Sequence, residues 1–160
     1  MKLSERLHGR VTVVGIGNPL RGDDAIGCHI AGRLADACRR GTLTRARGLT
    51  VLDVEEVPEN YLGTVAATQP DVVLLVDAAD LGASPGASAL VEGNALTDAG
   101  SLTHRTSIAI TAAVLRQMTG AEVLLLAVQP ASLEWGTPLS PSVASAADSV
   151  SALLQEALAC

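Results

Sequence analysis

Two carboxylates and one imidazole stand out in this chain as candidates for chemistry. Asp24 ends the acidic pair of the segment VTVVGIGNPLRGDDAIGC, in which a glycine-rich turn follows directly on an aliphatic run. Asp77 closes the run Val72 to Val76, and His104 stands four residues before Ile108 in a helical pattern. If each follows a strand of one parallel sheet, all three meet at the same sheet edge, because the loops that carry function lie outside the carboxyl ends of the strands. Two oxygen donors and an imidazole suit a divalent first-row metal that keeps open positions. The acid pair could instead share a proton, as in acid-base proteolysis.

Each residue also has a plainer use. A carboxylate at a helix N-terminus caps free N–H groups, and Asp23 is read first in that role. Asp77 ends a buried strand, where an acid serves chemistry or a polar network. His104, placed in the first turn of the third helix, would be kept neutral by the helix dipole and so able to act as ligand or base, although a lone histidine there also serves structure. Asp80 reads as a turn residue. His8 lies in the polar N-terminal segment, His29 falls off the helical face of Asp24, and Cys28, on that face, reads as a small buried thiol. Trp135, in the proline-punctuated loop after the last strand, either covers the core or anchors a peptide.

The glycine-rich segment is not a nucleotide loop. Gly15, Gly17 and Gly22 do not give G-x-G-x-x-G, and Gly17 to Gly22 is followed by Asp23-Asp24 where a P-loop needs Lys and Ser or Thr.

The scaffold around these residues follows from the hydrophobic pattern. Aliphatic runs predict strands at about 11–16, 50–54, 71–77 and 122–128, with a weaker one at 87–91 that pairs antiparallel at or near an edge. Helices are predicted from Asp24 to Arg40 (Ile26, Ile30, Leu34 and Ala37 inward), from Pro58 to before Pro70, and from near Thr103 to Gly120 (Ile108, Ala112, Leu115 and Met118 inward). A last helix follows an N-cap at Ser140, with Val143, Ala147, Val150, Leu154 and Leu158 inward. This is the signature of one α/β domain over residues 1–160, a mostly parallel sheet covered on both faces.

Composition narrows the function classes. The chain has 160 residues, 48% hydrophobic, yet no Phe, one Trp and one Tyr, so aliphatic side chains must fill the core and no base-stacking platform is available. The formal net charge is -6 and Lys2 is the only lysine, which argues against nucleic acid. Three cysteines without a C-x-x-C pair argue against a disulfide framework and fit a reducing cytosol. The aliphatic runs are strand-sized, so no membrane span is expected and a soluble cytoplasmic protein is.

Taken in order, GIGNPLRGDDAIG, VPENY, LLVDAADLGASPG, THRTSIAI and LLLAVQP resemble the successive motifs of the hydrogenase maturation endopeptidases, most closely the hydrogenase 3 type. The resemblance covers nearly the whole chain. It implies a three-layer α/β/α fold with five strands, one of them antiparallel. It also implies a cytoplasmic, monomeric peptidase that removes a C-terminal extension from the precursor of a nickel–iron hydrogenase large subunit after nickel insertion. The metal-contacting residues of the family match Asp24, Asp77 and His104, and the water is activated either by the metal or by Asp24 and Asp77 as the catalytic acid pair. Nickel would arrive with the precursor, other divalent ions could occupy the same site, and Gly17, Asn18, Asp23 and Trp135 are the expected substrate contacts. The family's usual glycine after the paired acids is Ala25 here, a residue that accepts helical geometry.

Two rivals belong to other classes. A phosphoacceptor receiver domain shares the acids but needs a lysine after the fifth strand, where this chain has Gln129-Pro130. A non-catalytic metal or small-ligand binding module on the same fold is the other, separated from a peptidase by incubation with a nickel-loaded precursor.

Overall fold

The computed structural model describes residues 2–43, 48–96 and 107–159. Strands β1 (Val11–Ile16), β2 (Thr50–Glu55), β3 (Val72–Ala78), β4 (Ser88–Glu92) and β5 (Glu122–Val128) form one sheet of order β2-β1-β3-β5-β4. All neighbours pair in parallel except β4, which runs antiparallel to β5 at the edge. Helices α1 (Leu3–Arg6), α2 (Ile26–Arg39), α3 (Leu62–Ala67), α4 (Ile108–Thr119) and α5 (Pro141–Ala159) accompany it.

Strand alternation divides the core in two. Val11, Val13, Leu74 and Val76 pack with Ile26, Ile30 and Leu34 of α2 and Val143, Val150 and Leu154 of α5. Val14, Ile16, Val73 and Leu75 pack with Val65 of α3 and Ala112 and Leu115 of α4. The result is helices on both faces of a mostly parallel sheet, as expected, and among the described residues the largest fully buried side chains are all aliphatic.

Three local expectations are corrected. The helix expected from Thr103 begins at Ile108 in the described chain, because Ser107 is its N-cap: its backbone is extended (φ -53°, ψ 129°) and its hydroxyl accepts the Ile110 N–H. Met118 is not inward but 49% exposed, since it lies in the last turn before the left-handed Gly120 cap. A short helix, α1, occupies the segment read only as polar and charged.

Among the described residues no helix is long and apolar enough to cross a membrane. Cys28 and Cys38 are free thiols.

Candidate active site

The order β2-β1-β3-β5-β4 places the topological switch between β1 and β3. From β1 the chain turns through α2 to one edge, and from β3 it turns towards the other. The crevice outside the carboxyl ends of two such strands is where α/β folds bind ligands. Asp24 lies in the 3-10 turn after β1 (Gly22–Ala25), and Asp77 is the penultimate residue of β3. That turn packs against β3, so the two acids flank the switch point.

Two glycines make the approach possible. A Cβ at Gly27 would lie 2.1 Å from the Ile16 carbonyl oxygen and 2.3 Å from that of Val76, so the first turn of α2 rests directly on the ends of β1 and β3. A Cβ at Gly17 would lie 1.8 Å from the Asp24 carbonyl oxygen, and Gly17 holds φ at +152°. Only glycine fits either place without moving backbone.

Asp24 is fully buried and Asp77 nearly so, at 5% exposure. The Asn18 N–H donates to Asp24 Oδ2 at 3.0 Å, and the Ala78 N–H donates to Asp77 Oδ1 at 2.8 Å. Asp77 shares strand parity with Val73 and Leu75, which places its side chain on the α3 and α4 face of the sheet. His104, expected beside that face, lies outside the described residues. Among the described residues no three His, Cys, Asp or Glu side chains form a metal-holding group.

The rest of the glycine loop is tied down. Gly17 N–H donates to the Glu55 carbonyl, beside an irregularity in the β1–β2 pairing where Glu55 takes φ 50°. Asn18 is 8% exposed; its Oδ1 accepts the Leu20 N–H and its Nδ2 donates to Glu56. The Cys28 thiol donates to the Gly17 carbonyl, and burial, reinforced by Asp53, raises its pKa, which fits the inert thiol expected. Ala25 is buried and helical (φ -76°, ψ -4°). His29 is exposed.

Asp23 departs from the capping role read for it first. It makes no helix cap, and its carboxylate is buried without exposed surface. It accepts from Ala131 N–H, Ser132 N–H, Ser140 N–H and Ser140 Oγ at 2.7–3.0 Å, all in the loop after β5. Burial alone would raise its pKa, but these donors together outweigh burial and hold it below the usual aspartate range. The Ser140 hydroxyl, expected to cap α5, donates its hydrogen to this contact.

Trp135 sits on that loop, 63% exposed, so it does not cover the core. The Arg21 guanidinium lies 5.6 Å from its ring centroid and donates through Nε to the Leu133 carbonyl. Leu20, 67% exposed, meets the same loop through the Gly136 N–H. Nothing in the sequence marks Arg21, Leu20 or Glu56, and Ser140 reads there only as a helix cap. Their partners come from distant segments, which no local spacing reveals.

The receiver reading also fails on geometry. Gln129, at the position that needs a lysine, accepts the Leu81 N–H through its side-chain oxygen, and the antiparallel edge strand breaks the 2-1-3-4-5 order of flavodoxin-like folds.

Fold and site together describe an α/β domain with two buried acids at its switch point. The chain belongs to the hydrogenase maturation protease family, whose HycI model matches residues 33–157. It is similar to the crystal structure of the HycI nickel–iron hydrogenase maturation protease of Thermococcus kodakarensis, at 30% identity and TM-score 0.86, covering 98% of this chain and 97% of that one. The hydrogenase 3 maturation protease of Escherichia coli is 26% identical over 136 residues, 84% of this chain and 82% of the relative. The solution structure of the endopeptidase HycI of Escherichia coli, 22% identical, shares the fold with TM-score 0.77 over 92% of this chain and 90% of that one.

Proposed function

We propose that this chain is an endopeptidase that removes the C-terminal extension of a nickel–iron hydrogenase large-subunit precursor once nickel has been inserted. The observation that carries the reading is the pair Asp24 and Asp77, two buried acids flanking the switch point of a hydrogenase maturation protease fold. Burial is costly for carboxylates and is retained where they do chemistry.

Nickel in this reading is part of the substrate, held by precursor thiolates. The donor set suits it: Asp24 and Asp77 supply hard oxygens and His104 an imidazole, an incomplete set that favours a metal already carrying other ligands. The metal then presents the tail beside the acids. Asp24, fixed by the Asn18 N–H, and Asp77, fixed by the Ala78 N–H, orient the attacking water and take up its proton, which makes them the catalytic acids. Gly17 and Asn18 shape the loop around Asp24, and Trp135 contacts the precursor chain. We place the peptidase in the cytoplasm, as a monomer formed by one domain over residues 1–160.

Incubation with nickel-loaded precursor tests this. A mass loss at the precursor C-terminus that requires nickel supports the reading. An unchanged mass with and without nickel overturns it and favours a non-catalytic binding module.

A further inference from the structure

The loop that carries Trp135 has few apolar anchors of its own. Ala131, Ser132, Glu134, Trp135 and Gly136 are all exposed, and the loop's hydrogen bonds to the rest of the chain run to the four residues Leu20 to Asp23. Asp23 N–H donates to the Ser132 carbonyl at 2.9 Å, and the Asp23 carboxylate gathers the donors of Ala131, Ser132 and Ser140. Arg21 reaches the Leu133 carbonyl and lies over Trp135, while Gly136 N–H donates to the Leu20 carbonyl at 2.8 Å. Gly22, at φ +54°, lets the two backbones approach: a Cβ there would lie 2.7 Å from the Ser132 carbonyl oxygen.

Hydrogen bonds to an ionised acceptor are among the stronger ones, and here they converge on one buried side chain. Asp23 is therefore the fixed point between two loops. The next residue along one of them is Asp24. Across the latch stands Trp135, and Leu20 precedes Asp23 on the near side; these are the two most exposed large apolar side chains of the described chain. An exposed tryptophan held by a buried carboxylate, beside a catalytic turn, is a preorganised contact for a polypeptide: aromatic anchors contribute most when their position is set before binding.

We propose that Asp23 is a positioning residue of this peptidase, whose carboxylate latches the Trp135 loop to the Asp24 turn and so sets the affinity for the precursor chain. The proposal rests on the peptidase reading above and gives Asp23 a role that acts through its bonds to the Trp135 loop.

Trp135 is the only tryptophan, so its fluorescence reports the latch without a label. Asp23→Asn puts an amide NH2 where donors converge and should free the loop. In the free protein, time-resolved anisotropy of Trp135 should show a larger amplitude of fast local motion than in the wild type. On the nickel-loaded precursor, KM should rise about tenfold with kcat within about threefold, the pattern of lost uniform binding. Ser140→Ala removes one donor only and should move both readouts in the same direction, by about two- to threefold. Wild-type anisotropy and KM in folded Asp23→Asn overturn the proposal, as does a fall in kcat at unchanged KM. If Asp23→Asn does not fold, Ser140→Ala decides: a shift in both readouts supports the latch, and no shift overturns it. Should the wild type leave the precursor uncut, the peptidase reading fails, while the anisotropy of the free protein still decides the latch.

Discussion

Gly27 stands against the carbonyl of Val76, the residue before Asp77, so closely that a Cβ would come within 2.3 Å of its oxygen. The backbone of α2 thus rests on β1 and β3 without a side chain between, and this contact brings the turn of Asp24 to the end of the strand of Asp77.

Gly27→Ala should therefore lower stability by about 1–3 kcal/mol, because the atoms it meets are backbone and cannot turn aside. Gly32, on the exposed side of the same helix, is open: a Cβ there would meet nothing within 4 Å. Gly32→Ala should raise stability by about 0.5–1 kcal/mol through helix propensity. Urea unfolding of the two variants checks both signs.

The strands and both faces of the core were legible because Val11 to Ile16, Val72 to Val76 and Val123 to Val128 are runs of a kind that only a sheet buried on both sides requires. The start of α4 was not, because the run Thr103-His-Arg-Thr-Ser107 offers several capping residues and only the tertiary setting selects Ser107. The placement of Asp24 and Asp77 at the carboxyl ends of β1 and β3 could be read from their positions after aliphatic runs. The partners of Asp23 could not: they lie 108 to 117 positions away, and a short-range cap was the only bond the local sequence offered. Met118 failed for a related reason, since helical spacing does not say where the sheet beneath the helix ends.

Acid should weaken the latch. The Asp23 carboxylate is held below the ordinary aspartate range, the donors of Ser140, Ser132 and Ala131 prevailing over burial. A group with a lowered folded pKa contributes stability above its unfolded value, about 3.9, and loses it as the pH falls through the folded value. The stability difference between the wild type and Asp23→Asn should be largest near neutral pH and shrink below about pH 4. Urea midpoints of both proteins across that range measure it, and a difference that grows on acidification would run against the assignment.

Trp135→Ala should leave the fold intact, since the side chain is 63% exposed and surface substitutions usually change stability by no more than about 0.5 kcal/mol. Its affinity for the precursor should nevertheless fall by about tenfold, the cost of losing an aromatic anchor. Thermal unfolding and binding titration separate the two effects.

Asp24 and His104, in the proposed function, act on a nickel-bearing precursor without being needed for folding. The decisive readout is the mass of nickel-loaded precursor after incubation with the wild type, Asp24→Asn and His104→Ala, each first shown to be folded by circular dichroism. The C-terminal extension should be lost with the wild type and retained with both variants. Normal processing by both variants would refute the assignment of these residues.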